Sequence, residues 1–316
     1  MIFGRETYQT VFDLHASLPG GKEEALWESN CASNWLTRAD TQAYQPPFLG
    51  ILRILFDQKK RMPLISPLSS TFILQGLISV SLDLKQSEQR HSEAGIEKQA
   101  RLLQAYERWR LHYEKTVAIH LRSSCHNKIM VMYHMAYITM HTNLHNLYTL
   151  AGDTRQFSRT AERSDYYQAK TELSQWANSS SGQLAMWHAI QIIVRILGEP
   201  ALVQEHVHIP WMQYTSILMC WAYGALSHSP LAGEVGSSCS DFLWDMQASK
   251  AQMQNYLQQM NTCTWQELVH ARNFRRTAGV MASVKCSWEA MGLRWGLLEQ
   301  ASETIRNIIS RNLKVV

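Results

Sequence analysis

The sequence predicts an all-α fold, a single large multi-helix domain. Apolar residues recur at three- and four-residue spacing along most of the 316 residues, the period that puts them on one side of a helix. Short polar stretches containing Gly, Ser or Pro separate these segments. No β-branched alternating run of the kind that pairs into hairpins occurs. With 46% hydrophobic and 18% charged residues, the chain lacks the low apolar content and high net charge of a disordered one. Its 11 Trp and 14 Met predict a roomy, tryptophan-rich interior. The periodic segments predict about ten to fourteen helices.

The elements follow in order. Pro19-Gly20-Gly21 reads as a tight turn, and Pro46-Pro47 precedes a helix start. Residues 86–97, QSEQRHSEAGIE, read as the most hydrophilic loop. Over 98–117 the residues Ala100, Leu103, Tyr106, Trp109, Leu111 and Tyr113 predict an amphipathic helix. One helix is expected through 128–150, closed by Gly152 as a left-handed cap. ANSSSG at 177–182 and SPLAGEVGSSCS at 229–240 are breaks. A helix over 241–260 carries Phe242, Leu243, Met246, Met253, Leu257 and Met260, with Ser240-Asp241 as N-cap. Trp288, Met291, Trp295, Leu298, Ile305, Ile308 and Ile309 form one stripe on a long C-terminal helix. The breaks keep no fixed period, which argues against a solenoid.

Charge and cysteine usage exclude several function classes. The net charge is +4 and the pI about 8.7, but the positives are scattered. Arg272, Arg275 and Arg276 are the densest group, no more than a solvated helix end carries. A nucleic-acid reader concentrates Lys and Arg on one face, so direct DNA contact by this chain is not expected. Cys31, Cys125, Cys220, Cys239, Cys263 and Cys286 include no CxxC pair, and structural zinc needs ligands clustered at short spacing. The start MIFGRETYQT lacks a basic region followed by an apolar core, so reduced, mostly buried thiols are expected. The apolar stretches 128–140 and 209–227 carry Tyr133 and His134, and Gln213, Thr215 and Ser216. They read as buried core helices and not as membrane spans.

Candidate chemistry is sparse. On one helix, His134, His141 and His145 would fall within about 20° of one line. His134 and His145 would nevertheless lie about 16 Å apart along the axis, beyond the reach of one ion. His141 and His145 retain the i,i+4 spacing of helical metal sites, and Tyr148 follows a turn later. The plainer reading is polar side chains satisfied at helix contacts. In Glu205, His206, Val207, His208 the two His are two residues apart and Pro210 follows, whereas HExxH needs them one helical turn apart. GxSxG and GxxxxGK[ST] are absent, as is DDxxD, for which Asp241 and Asp245 are a poor substitute. No catalytic residue, metal ligand or cofactor-binding residue is therefore assigned. Trp27, Trp35, Trp109, Trp176, Trp187, Trp211, Trp221, Trp265, Trp288 and Trp295 suit core filling better than the lining of a ligand pocket.

A series of short motifs resembles the regulatory "middle homology" domain of fungal-specific transcription factors. It begins with Phe12-Asp13-Leu14-His15, Ser17-Leu18-Pro19, Leu26-Trp27-Glu28 and Trp35. Pro47-Phe48-Leu49 follows with Ile51, Leu52, Ile54 and Leu55, then Phe72-Ile73-Leu74-Gln75-Gly76-Leu77, where Gln75 replaces the family's His. Leu103, Tyr106 and Trp109, then Tyr133-His134-Met135-Ala136-Tyr137 and Ala151-Gly152, continue the order. Trp187-His188-Ala189 and Trp221-Ala222-Tyr223-Gly224 complete it. The version attached to two-Cys/two-His zinc-finger regulators is the most similar.

The resemblance implies a non-enzymatic helical domain of residues 1–316, with a lead-in segment over 1–60 and a helical core over 61–316. It implies transcription regulation by RNA polymerase II in the nucleus, through the transcription machinery or co-regulator proteins. Self-association as a homodimer and a small-molecule effector are part of what it implies; a membrane role is not. No Cys/His finger or six-Cys cluster is present in these residues, so zinc and DNA contact are expected only of a module outside this chain. Two alternatives remain: an all-α enzyme with a site around His134, His141 and Tyr148, and a helical adaptor that buries a partner helix.

Overall fold

A computed structural model of the chain describes residues 16–18, 26, 29–39, 47–86, 92–120, 124–152, 162–227, 246–268, 277–291 and 296–313. They are all-α, with thirteen helices among the described residues. These are α1 (Ala32–Ala39), α2 (Phe48–Phe56), α3 (Pro67–Gln86), α4 (Glu93–His120), α5 (Ser124–His141), α6 (Leu144–Ala151) and α7 (Arg163–Ala177). They continue with α8 (Ser180–Gly198), α9 (Ala201–Glu205), α10 (Ile209–Leu226), α11 (Met246–Thr262), α12 (Ala278–Ala290) and α13 (Gly296–Leu313). The extended pairing that accompanies them is one isolated bridge, Ser17 to Pro47. The chain divides into two compact units, Met1–Ile129 and Met130–Val316.

In the first unit α2, α3 and α4 pack on one another. Pro47 stands extended before α2, whose Phe48, Leu49, Ile51, Leu52 and Leu55 are buried. On α3, Ile73, Leu74 and Leu77 are buried. Polar atoms close this core: Trp109 Nε1 donates to the Ser70 carbonyl at 2.8 Å, and the Ser81 and Tyr106 hydroxyls meet at 2.7 Å. Residues 67–85 of α3 have the length and apolar composition of a membrane-crossing helix. Their packing on α2 and α4 makes them a core helix with an outward face, where Leu68 and Phe72 are exposed.

The second unit is built around α10, which contacts α6, α7, α8, α9, α12 and α13. All but Met212, Trp221 and Ala225 of its residues are buried, so this helix is apolar on every side because it is surrounded. The polar residues anticipated there are satisfied. Gln213 Oε1 accepts from Trp288 Nε1 at 2.8 Å. The Thr215 hydroxyl donates to the Trp211 carbonyl and meets the Tyr148 hydroxyl at 2.7 Å, and Ser216 donates to the Met212 carbonyl.

Several boundaries differ from the sequence reading. The expected helix through 128–150 is two helices. Asn143 breaks it by acting as N-cap of α6, its side chain accepting from the His145 amide at 3.1 Å. Gly152 caps α6 at φ 83°, the left-handed geometry expected of it. The hydrophilic stretch 86–97 is helical from Glu93, because the Ser92 hydroxyl accepts from the Gly95 amide and starts α4. On α4 the buried stripe is Leu102, Ala105, Tyr106, Trp109, Tyr113 and Thr116, with Ala100 and Leu111 exposed. Leu111 follows Trp109 by two residues and so points about 200° away from it.

The C-terminal stripe belongs to two helices: Trp288 is on α12, which ends at Ala290, while Leu298, Ile305, Ile308 and Ile309 are on α13. ANSSSG shrinks to a two-residue connection, because Ser179 caps α8 and Gly182 lies inside it. The interior is also less uniformly tryptophan-lined than expected. Trp109, Trp211 and Trp288 are buried; Trp176, Trp187 and Trp221 are partly buried; Trp35 is half exposed. Phe12, Asp13, Leu14 and His15, Pro19-Gly20-Gly21, Trp27, Glu28 and Pro46 lie outside the described residues, as do 229–240, Ser240-Asp241, Phe242, Leu243, Asp245, Trp295 and Arg272, Arg275 and Arg276.

Candidate functional site

The histidines singled out by spacing are dispersed by the break at Asn143. His134 is buried on α5, His141 ends that helix, and His145 is exposed on α6. Tyr148 turns to a different neighbourhood, with its ring beside Trp211 and Tyr214 of α10 and its hydroxyl on Thr215. Glu205 ends α9, His206 is its C-cap and His208 the N-cap of α10, with Pro210 in the first turn. The two imidazoles there lie 5.9 Å apart, in a helix-to-helix turn as the Pro suggested. Among the described residues no group of three or more His, Cys, Asp or Glu side chains is placed to hold a metal ion.

The structure instead brings His134 together with His188 of α8. Their Nδ1 atoms are 2.8 Å apart and each residue is 3% exposed. A contact of that length between like atoms requires one ring to donate from Nδ1 and the other to accept there, so two neutral rings adopt opposite tautomers. Aromatic rings enclose the pair. Tyr137 stacks on His188 at 4.2 Å between centroids, while Trp187 meets His188 and His134 edge-on at 5.0 and 5.9 Å. Tyr133 stands edge-on to His134 at 5.3 Å. Burial holds His188 well below the usual imidazole pKa, and the positive fields of His141 and Arg195 add to that.

His188 escaped the sequence reading as a site residue because it stood inside the Trp187-His188-Ala189 motif of an apolar helix. A buried imidazole needs a partner, and that requirement was the available signal. Among the described residues, the neighbours of the pair are aromatic rings, His141 and Arg195. His141 Nδ1 lies 3.4 Å from the Ser181 hydroxyl, too long for a strong bond.

A second concave feature lies between α12 and α13. It is a cleft of about 340 Å³ lined by Trp288, Glu289, Leu298, Glu299, Ser302, Glu303 and Arg306. The thiols are placed differently from the expectation of burial: Cys31 is exposed, Cys263 and Cys286 are half-buried, and Cys220 alone of these four is buried. Burial on α10 beside Tyr256 pushes the Cys220 thiol up to about 12. The thiolate is the reactive form, so a thiol reagent at pH 8 will modify Cys31 while Cys220 stays intact in the native chain. Peptide mapping after a timed reaction checks this, and comparable rates at the two sites would contradict the burial of Cys220 on α10.

The described residues thus define a helical scaffold with a buried histidine pair, and no group of three or more His, Cys, Asp or Glu among them is placed to hold a metal ion. The chain is 24% identical to the zinc finger protein klf1 of Schizosaccharomyces pombe over 98% of this chain and 40% of that protein. It is 24% identical to the nicotinate catabolism cluster-specific transcription factor of Emericella nidulans, over 71% of this chain and 28% of that protein. To the zinc finger protein zas1 of Schizosaccharomyces pombe it is 24% identical over 71% of this chain and 26% of that protein. The chain thus spans less than half the length of the curated relatives it matches. No protein-family model and no solved structure matches it.

Proposed function

We propose that this chain is the helical regulatory region, of the middle homology type, of a fungal transcription factor acting in the nucleus on RNA polymerase II transcription. The observation that carries the reading is the klf1 alignment, which takes nearly the whole chain yet under half of the longer protein. That share, with the transcription-factor name of the Emericella nidulans relative, supports reading the chain as one region of a longer regulator. The scattered positive charge supports action through protein contacts with the transcription machinery or co-regulators, including a second copy, and through a small-molecule effector. An effector would act only by binding one helix arrangement better than another. DNA contact and zinc belong, in this reading, to a module outside these residues. Both compact units fall within the proposed regulatory region, and no membrane role is assigned.

Fusion of the chain to a heterologous DNA-binding domain tests the reading. Upstream of a fungal reporter gene, the fusion will change transcription several-fold in either direction, while the chain alone will not shift duplex DNA at physiological salt. An inert fusion, or a salt-resistant shift by the chain alone, overturns the proposal.

A further inference from the structure

We propose that the His134–His188 pair is a proton-sensitive latch between α5 and α8, closed while both rings are neutral and released by acidification. Its basis is the geometry of the pair and does not depend on the regulatory reading. The Nδ1 atoms meet at 2.8 Å in a site where both residues are 3% exposed. The neutral pair shares one hydrogen bond. A first added proton places a full charge in that buried site, where desolvation opposes it. A second removes the acceptor lone pair and sets two N–H groups against each other.

From α5 the pair meets Tyr133, Tyr137 and His141; from α8 it meets Trp187, with Arg195 two turns on. Arg195 is held by the Gln191 carbonyl and side chain, each at 3.0 Å. Elsewhere on the same two helices, Trp176 of α7 donates to the His141 carbonyl and Asn261 of α11 accepts from Gln191. The positive field of Arg195, and that of His141 when it is protonated, both disfavour positive charge on His188.

The sign follows directly. An opened His188 titrates near the ordinary histidine value of about 6.5, while in the closed pair burial keeps it neutral to lower pH. The closed form is therefore at full strength above about pH 6.5 and loses ground as pH falls below it, by up to about tenfold per pH unit for each histidine. Opening would uncover Tyr133, Tyr137 and Trp187, giving acidification a structural readout at the aromatic shell.

Hydrogen exchange on the full chain tests the latch. After correction for the intrinsic pH dependence of exchange, protection of 124–141 and 180–198 in the natural chain is expected to fall about tenfold or more between pH 7.5 and 5.5. The His134→Gln/His188→Gln chain is expected to show no such fall, whatever its starting protection, while His145→Gln, at an exposed site, keeps the natural response. Unchanged protection in the natural chain overturns the latch, and so does a fall that persists in the double variant, which would place the titration elsewhere among the 13 histidines. Should the double variant fail to fold, the imidazole 15N resonances of the natural chain decide: loss of the shared Nδ1 proton together with loss of protection as pH falls below about 6.5 supports the latch, and an intact neutral pair at pH 5.5, or ordinary titration near pH 6.5 without loss of protection, refutes it.

Discussion

A Gly182→Ala chain will unfold at a markedly lower urea concentration than the natural chain, by the equivalent of about 3 kcal/mol. Gly182 sits in the first turn of α8, immediately after the two-residue connection from α7. A Cβ built on it would lie 2.2 Å from the Trp176 carbonyl oxygen and 3.1 Å from Ala177 Cα. Those are backbone atoms, and they have nowhere to go. The Trp176 carbonyl accepts from the Ser179 amide at 3.0 Å and the Ser179 hydroxyl at 2.7 Å. The Trp176 side chain is tied to the His141 carbonyl at 2.9 Å, and Ala177 is packed in the core.

Relief requires the start of α8 to separate from the end of α7, which disturbs a core contact. Alanine recovers only about 1 kcal/mol through its better helix propensity, so the clash wins. The midpoint should fall with little change in slope, the mark of lost stability without a changed unfolded state. Gly198→Ala is the control: no atom beyond its chain neighbours and its own turn of helix backbone lies within 4 Å of the added Cβ, and this variant should be as stable as the natural chain or slightly more so. Equal stability of Gly182→Ala would show that the α7–α8 connection is looser than described.

The second large effect is expected at Arg108, where Arg108→Met will destabilise the unit formed by Met1–Ile129 by about 2 to 3 kcal/mol. The guanidinium of this α4 residue closes the C-terminal end of α2. Nη1 donates to the Ile54 and Asp57 carbonyls at 2.6 Å each, and Nη2 donates to the Lys60 carbonyl. Helix ends leave carbonyls without intrahelical partners and carry partial negative charge, so a forked cation answers both needs at once. Methionine keeps the aliphatic stem and removes every donor.

Because the site is half-buried, water will satisfy part of what is lost, which limits the cost. Arg108→Lys should recover only part of the stability, since one ammonium cannot reproduce the fork. Hydrogen exchange in 48–56 and 93–113, followed through urea, reads the effect locally. Loss of no more than about 0.5 kcal/mol would reduce Arg108 to an ordinary surface cation.

Much of the helical identity was legible in the sequence because it rests on neighbours a few residues away. The apolar stretch at 209–227 became α10, and Gly152 became a left-handed cap. The break at Asn143 was also legible in principle, since Asn before an apolar turn is N-cap chemistry. The period simply ran across it and won the reading. Ala100 and Leu111 were misplaced on α4 for a related reason: a tolerant three-or-four spacing admits residues off the true stripe, and the positions of α2 and α3 decide which stripe is inside. The candidate site was less legible. His134 was visible, and satisfaction at a helix contact was the plainer reading of it, but periodicity along one helix names no partner on another.

The sequence by itself determined that this protein is helical, where its most buried helix lies, and that no clustered zinc or nucleophile motif is written into these residues. Only the tertiary structure decided that His134 meets His188 and that Arg108 meets the Ile54 carbonyl, each pair 54 residues apart along the chain. Local periodicity specifies a helix and its buried side, because both are set within one or two turns. Which buried side faces which is settled by packing between distant segments, where the need to satisfy a buried donor or acceptor selects the partner.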